Sequence, residues 1–142
     1  MTNKIDSRSR GGSDMLVITL PGSVRSKKNS KIATMVGGRH APRRAIILPS
    51  KAYSAWEKEA RKVAWESAIV PPLSCPVHIE AHFYYKGQQP DLSGCCESIG
   101  DCLEGIIYAN DRQIYSWDGS RLHHNLENPR TVVTVRWGNG EG

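Results

Sequence analysis

The stretch from Pro90 to Ile114, PDLSGCCESIGDCLEGIIYANDRQI, constrains this chain most, because two different demands meet on one short helix. Cys95, Ile99, Cys102 and Leu103 recur at i, i+4, i+7 and i+8, a single apolar stripe that has to face a core. Glu97, Asp101 and Glu104 ride on the same helix, and Asp111 follows in the turn beyond it. A helix over residues 92–104, stopped by Gly105 and packed by its stripe, presents acids along its remaining surface. Carboxylates are hard oxygen donors, and acids gathered this way usually hold a divalent cation.

Upstream the charge reverses. Between Met15 and Trp56 the chain carries Arg25, Lys27, Lys28, Lys31, Arg39, Arg43, Arg44 and Lys51 and not one Asp or Glu. The formal net charge of +5 is modest, so its segregation says more than its size: one pole suits a cation and the other a polyanion. That is the polarity a metal-dependent nuclease needs. No apolar run approaches the roughly 18 residues of a membrane span, and TNKIDSRSRGGSD has no secretory core, so a cytosolic location is the default. The four cysteines, Cys75, Cys95, Cys96 and Cys102, contain an adjacent pair and no C-x-x-C, which argues against a zinc cage or a disulfide framework.

A length of 142 residues fits one domain. Residues 1–14 are polar and Gly/Ser-rich, which predicts a disordered leader before a domain over 15–142. MLVITL (15–20) reads as a strand closed by Pro21-Gly22, and 22–44 shows no period and reads as a basic loop. AIIL (45–48) is a second short strand. Ser50 is placed to cap a helix reaching about Ser67, with Ala52, Trp56, Ala60, Val63 and Ala64 on its buried face and Trp56 as core anchor. VHIEAHFYY (77–85), IIY (106–108), QIYSW (113–117) and RTVVTVRW (130–137) complete the strands. The order predicts a single-domain α/β fold: a two-layer sandwich of one mixed β-sheet with two main helices on one face. The open face, or an edge strand, is then a natural surface for a second copy.

The acidic segment also carries a resemblance. Pro90-Asp91-Leu92 opens the helix, Asp101 and Leu103 lie along it, and Asn110-Asp111-Arg112-Gln113-Ile114 follows it. LPG at 20–22, KKNS at 27–30, PSKAYSAWEKEA at 49–60 and NPR at 128–130 occur in the matching order. With these segments the chain resembles the RusA family of Holliday junction resolvases, small phage-associated endodeoxyribonucleases, over nearly all of Met15 to Trp137. The resemblance implies a homodimer that uses Mg²⁺, with Mn²⁺ as a possible substitute, to nick two opposed strands of branched DNA.

On that reading Asp91 and Asp111 are the foremost metal ligands, with Glu97 and Asp101 as further candidates. The chain departs from the family pattern at Ser93, Gly94 and Glu97, where the family carries Asp, Asn and Lys. Ser93 and Glu97 are four apart on one helix face, so Glu97 can reach back to where the missing carboxylate would sit. Ser93 can equally be a helix cap and Glu97 a partner of the helix dipole. Arg112 can supply the cation the family Lys would provide. Glu104 continues the acidic stripe and reads as solvated surface. DNA contacts fall to Arg25, Lys27, Lys28, Asn29, Lys31, Arg39, Arg43 and Arg44, a set suited to phosphates rather than sequence. His123 and His124 invite a catalytic reading but point to opposite sides of a strand, and Tyr84 and Tyr85 are core residues or base-stacking platforms. The alternative function is a dimeric branched-DNA-binding protein whose metal site is weakened by Ser93.

Overall fold

Residues 13–26 and 31–138 are described in a computed structural model of the chain. The elements in order are β1 (Ser13–Pro21), β2 (Lys31–Gly38), β3 (Ala41–Pro49), α1 (Lys51–Trp65), β4 (Val77–Tyr85), α2 (Leu92–Leu103), a 3₁₀ turn (Asp111–Gln113), β5 (Ile114–Ser116), β6 (Arg121–His124) and β7 (Arg130–Gly138). The main sheet runs β1-β7-β4, antiparallel throughout; β5 and then β6 pair parallel to β4 along its other edge. This is the mixed sheet with two helices that the element order predicts.

Alternation places the layers. Leu16, Ile18 and Leu20 of β1, Val133 and Val135 of β7, and Val77, Ile79, Ala81 and Phe83 of β4 are all buried, and they form one cluster with the helices. The cluster takes Tyr53, Trp56, Ala60 and Ala64 from α1 and Cys95, Ile99, Cys102 and Leu103 from α2. The buried stripe of α2 is therefore the one its spacing predicts. In α1, Tyr53 rather than Ala52 heads the stripe, and its ring lies 6.0 Å from that of Trp56. Ser50 does cap α1, its hydroxyl accepting from the Tyr53 amide at 3.1 Å. The opposite face of the sheet stays open, with Met15 and Val17 exposed on the edge strand β1. No helix among the described residues is long and apolar enough to cross a membrane.

Four expectations change. The basic stretch is a β-hairpin, not a loop: β2 and β3 pair from Lys31↔Pro49 to Val36↔Arg44 as a separate two-stranded sheet. The apolar residues of β2 fall in adjacent pairs, Ile32-Ala33 and Met35-Val36, and do not alternate, which hides the strand period, while Gly37 and Gly38 at positive φ take up the register shift before the turn. Ile106, Ile107 and Tyr108 are fully buried yet form a turn, because Gly105 at φ 83° reverses the chain and its amide donates to the Tyr108 carbonyl at 2.7 Å. A run of three apolar residues looks the same in both cases. Finally β6, Arg-Leu-His-His, lies beside β4 without the apolar alternation that announces a strand. The strand β1 begins at Ser13, two residues before the expected start of the domain, and residues 1–12 lie outside the described part.

Candidate functional site

Helix α2 is held at both ends by other parts of the chain. At its start Asp91, not Ser93, is the N-cap: its Oδ2 accepts from the Gly94 amide at 3.1 Å and from the Ser93 hydroxyl at 3.0 Å. At its end the carbonyls left over by the helix find donors. The Tyr108 hydroxyl donates to Gly100 O at 2.8 Å, and Arg61 Nη1 donates to Cys102 O at 2.9 Å and Asp101 O at 3.4 Å. The guanidinium also suits the negative end of the helix dipole.

The chain then returns to α2 through a tied turn. Asn110 Oδ1 accepts from the Arg112 amide at 2.8 Å, and Gln113 Oε1 accepts from the Asn110 amide at 2.7 Å. The Gln113 amide nitrogen donates to Leu73 O at 2.8 Å and Cys75 O at 2.9 Å, which fastens the turn to the segment before β4. These bonds explain why Asn and Gln flank Asp111: each satisfies backbone groups that a tight turn leaves without partners.

The result is a cluster of three carboxylates. One oxygen each from Asp101, Glu104 and Asp111 lies within 4.8 Å of the others, and Glu104 Oε2 also accepts from the Asp111 amide at 3.3 Å. Asp101 and Glu104 are half-buried, so the reading of Glu104 as mere solvated surface gives way. Its signal was the i, i+3 spacing from Asp101. On an octahedral Mg²⁺ ion, ligand oxygens at about 2.1 Å from the metal lie roughly 3.0 Å apart when adjacent and 4.2 Å when opposite. The cluster is close to that size and its donors are the hard oxygens that Mg²⁺ and Mn²⁺ prefer.

The remaining candidates are spread along α2. Asp91 precedes Asp101 by ten residues, about 15 Å of helix at 1.5 Å per residue, so one ion cannot take both. Glu97 is exposed and lines, with Ser93 and Asp111, a shallow depression of 480 Å³ beside the helix. That depression leads from the carboxylate cluster toward Asp91, which is bonded to Ser93 at its far end. Arg112 is exposed next to Asp111.

The start of the basic pole lies against the same helix. The buried Ser98 hydroxyl donates to Arg25 O at 2.8 Å, and a Cβ on Gly94 would fall 2.1 Å from Ser26 Oγ, so only glycine allows this approach. Arg25 and Lys86 thereby border a cleft of 720 Å³ that ends at Asp91. Lys86 escaped sequence reading because a single lysine in a turn carries no pattern. Arg39 and Arg43 are exposed on the hairpin, and Lys31 and Arg44 are placed in it by their backbone. Lys27, Lys28 and Asn29 lie outside the described residues.

His82, His123 and Tyr84 lie together on the open sheet face. His82 Nε2 bonds Glu80 Oε2 at 2.7 Å and its Nδ1 bonds His123 Nε2 at 2.9 Å. Glu80 is held below the usual carboxylate range, first by its bond to His82; burial, then the charges of His82, Arg121 and Arg130, hold His123 below the usual imidazole range. Tyr84 sits in the row between His123, ring to ring at 4.5 Å, and the Arg130 guanidinium at 4.0 Å, so its faces are not free to stack bases. Tyr85 is buried. The four cysteines are free thiols; burial pushes Cys95 and Cys102 up to about 12 and Cys96 up to about 11, and Cys95 and Cys102 pack in the buried core.

Residues 21–136 match the family model described as Endodeoxyribonuclease RusA, which covers most of the chain. No curated protein matches the chain.

Proposed function

The chain belongs to the RusA family of endodeoxyribonucleases, for which Holliday junction resolution is the implied activity, and from that premise we propose a Mg²⁺-dependent resolvase that nicks two opposed strands as a homodimer. The observation that carries the metal dependence is the convergence of Asp101, Glu104 and Asp111 within 4.8 Å. These three are the proposed ligands of the catalytic ion, with Mn²⁺ as an alternative occupant. When bound, a divalent ion supplies charge neutralisation at the phosphoryl oxygens and an acidified water. The chain's residues do the positioning: the Gln113 and Asn110 bonds hold Asp111, while Arg61 and Tyr108 hold the helix end that carries Asp101.

Glu97 is proposed as a further ligand or water-orienting carboxylate, since it lines the same depression as Asp111. Asp91 is proposed to act from the other end of α2, where Arg25 and Lys86 border its cleft and can hold a flanking phosphate. Arg112, beside Asp111, takes a phosphoryl oxygen in place of the family lysine. Lys27, Lys28, Asn29, Lys31, Arg39, Arg43 and Arg44 would track the junction arms. A two-fold junction cut symmetrically calls for two symmetric sites, and the exposed β1 edge with Met15 and Val17 offers a surface on which two copies can meet.

The test is cleavage of a synthetic four-way junction. Asp111→Asn and Glu104→Gln should each lower the Mg²⁺-dependent rate on the order of 100-fold or more while the gel shift persists. Glu97→Gln at wild-type rate beside an inactive Asp91→Asn would remove Glu97 from the site. The second reading, a junction-binding protein without cleavage, is favoured by the Ser93 hydroxyl occupying Asp91 where the family has a carboxylate. It stands if wild-type protein shifts the junction and nicks it with neither Mg²⁺ nor Mn²⁺. Light scattering that gives a monomer at working concentration would exclude the dimer.

A further inference from the structure

We propose that the depression between α2 and the β5 edge is a nucleobase subsite, which takes one unstacked base from the strand whose phosphate lies at Asp111. The inference rests on the nuclease reading and deepens it. The depression holds 480 Å³, within the range of small-molecule sites of about 300–1,000 Å³, and most of its lining is apolar: Leu92, Cys96, Ile114 and Trp117 around Gly100. Asp111 belongs both to this lining and to the carboxylate cluster. In a nucleotide chain the base hangs on the sugar next to each phosphate. A strand with its phosphate at Asp111 therefore delivers a base to whatever adjoins that residue, and what adjoins it is an apolar hollow with an indole in its wall. Aromatic and apolar walls are what hold bases outside a stack.

Gly100 is a second, independent observation. Apart from proline, glycine is the costliest residue to keep inside a helix. At Gly94 packing demands it, since a Cβ there would collide with Ser26. At Gly100 packing does not. A Cβ would meet Ile114 Cδ1 at 3.6 Å, Trp117 Cζ2 at 3.8 Å and Asp111 Cβ at 4.0 Å, all ordinary contacts. Alanine would fit and strengthen the helix, and its methyl group would occupy the floor of the hollow. The glycine leaves that floor open.

The full chain is mixed with four-way junctions in which 2-aminopurine replaces, one at a time, the bases flanking the crossover, with Ca²⁺ to permit binding. One position should change its fluorescence on binding, and Gly100→Ala, folded with a melting temperature at or above wild type, should lose that response. In single-turnover cleavage Gly100→Ala should be at least fivefold slower than wild type on the intact junction. Both proteins should cut a junction abasic at the responding position at one common, reduced rate. The subsite is overturned if the junction is shifted and no 2-aminopurine responds. It is equally overturned if Gly100→Ala matches wild type on intact DNA, or is slower by the same factor on intact and abasic junctions, which would place the effect on Asp111. A wild-type chain that neither shifts nor cuts any junction fails at the earlier step, and removes the nuclease reading together with the subsite.

Discussion

Gln113 does more for the candidate site than its position outside the carboxylates suggests. Its side chain makes three hydrogen bonds, two to carbonyls of residues 73 and 75 and one from the Asn110 amide. Each bond is worth about 0.5–1.5 kcal/mol net, so Gln113→Ala should destabilise the fold by roughly 2–3 kcal/mol in urea unfolding. Because the turn it holds carries Asp111, Mg²⁺ affinity should fall about 10- to 100-fold, read by titrating the cleavage rate. Asp91 poses a different question, since it caps a helix and borders a cleft at once. Asp91→Ala should cost about 0.5–2 kcal/mol as a lost cap. Asp91→Ser keeps a capping oxygen and should recover most of that stability, but not the cleavage rate if the carboxylate acts on DNA or metal.

At the scale of elements, the proposed function assigns the metal and cleavage to α2 and the junction arms to the β2–β3 hairpin. The helix interior tolerates two glycines, each of which costs about 0.5–1 kcal/mol relative to alanine; one is there for close packing and the other leaves a hollow. The hairpin lifts Arg39 and Arg43 into solvent at its turn end. Such side chains act through counterion release, so Arg39→Ala and Arg43→Ala should each lower the slope of log affinity against log salt by about 1. Their effect on which sequence is cut should be nil. The slope is measured by gel shift of a junction across a salt series, and an unchanged slope would take the hairpin out of the DNA interface.

For the molecule as a whole, pH should reveal the open sheet face. His123 titrates below its ordinary value of 6.5 because burial and nearby cations oppose its charge. The unfolded chain then binds more protons than the folded one, so stability is complete above that value and is lost as pH falls through the folded pKa. Glu80, lowered from 4.5 chiefly by His82, has the same sign at lower pH, with its stabilising contribution lost on further acidification. The melting temperature should therefore decline in two stages on acidification, the first beginning near pH 6.5. His123→Gln should remove the first stage and leave the second.

Much of this protein was legible in its residues. The stripe Cys95, Ile99, Cys102 and Leu103 and the alternation in Val77–Tyr85 state which sides are buried, because burial repeats with the period of the backbone. Ser50 announces α1 because a cap is a local bond. The spacing from Asp101 to Glu104 was legible too, although its meaning was not. Which carboxylates share a place depended on the turn at Gly105 and on Gln113 reaching back some forty residues to carbonyls 73 and 75, and such bonds leave no periodic trace. The hairpin, the base of Arg25 on Ser98 and the hollow over Gly100 are likewise products of chain segments meeting in space. Local sequence sets periods, caps and stops; only tertiary packing decides which donors and acceptors distant in the chain end up a few ångströms apart.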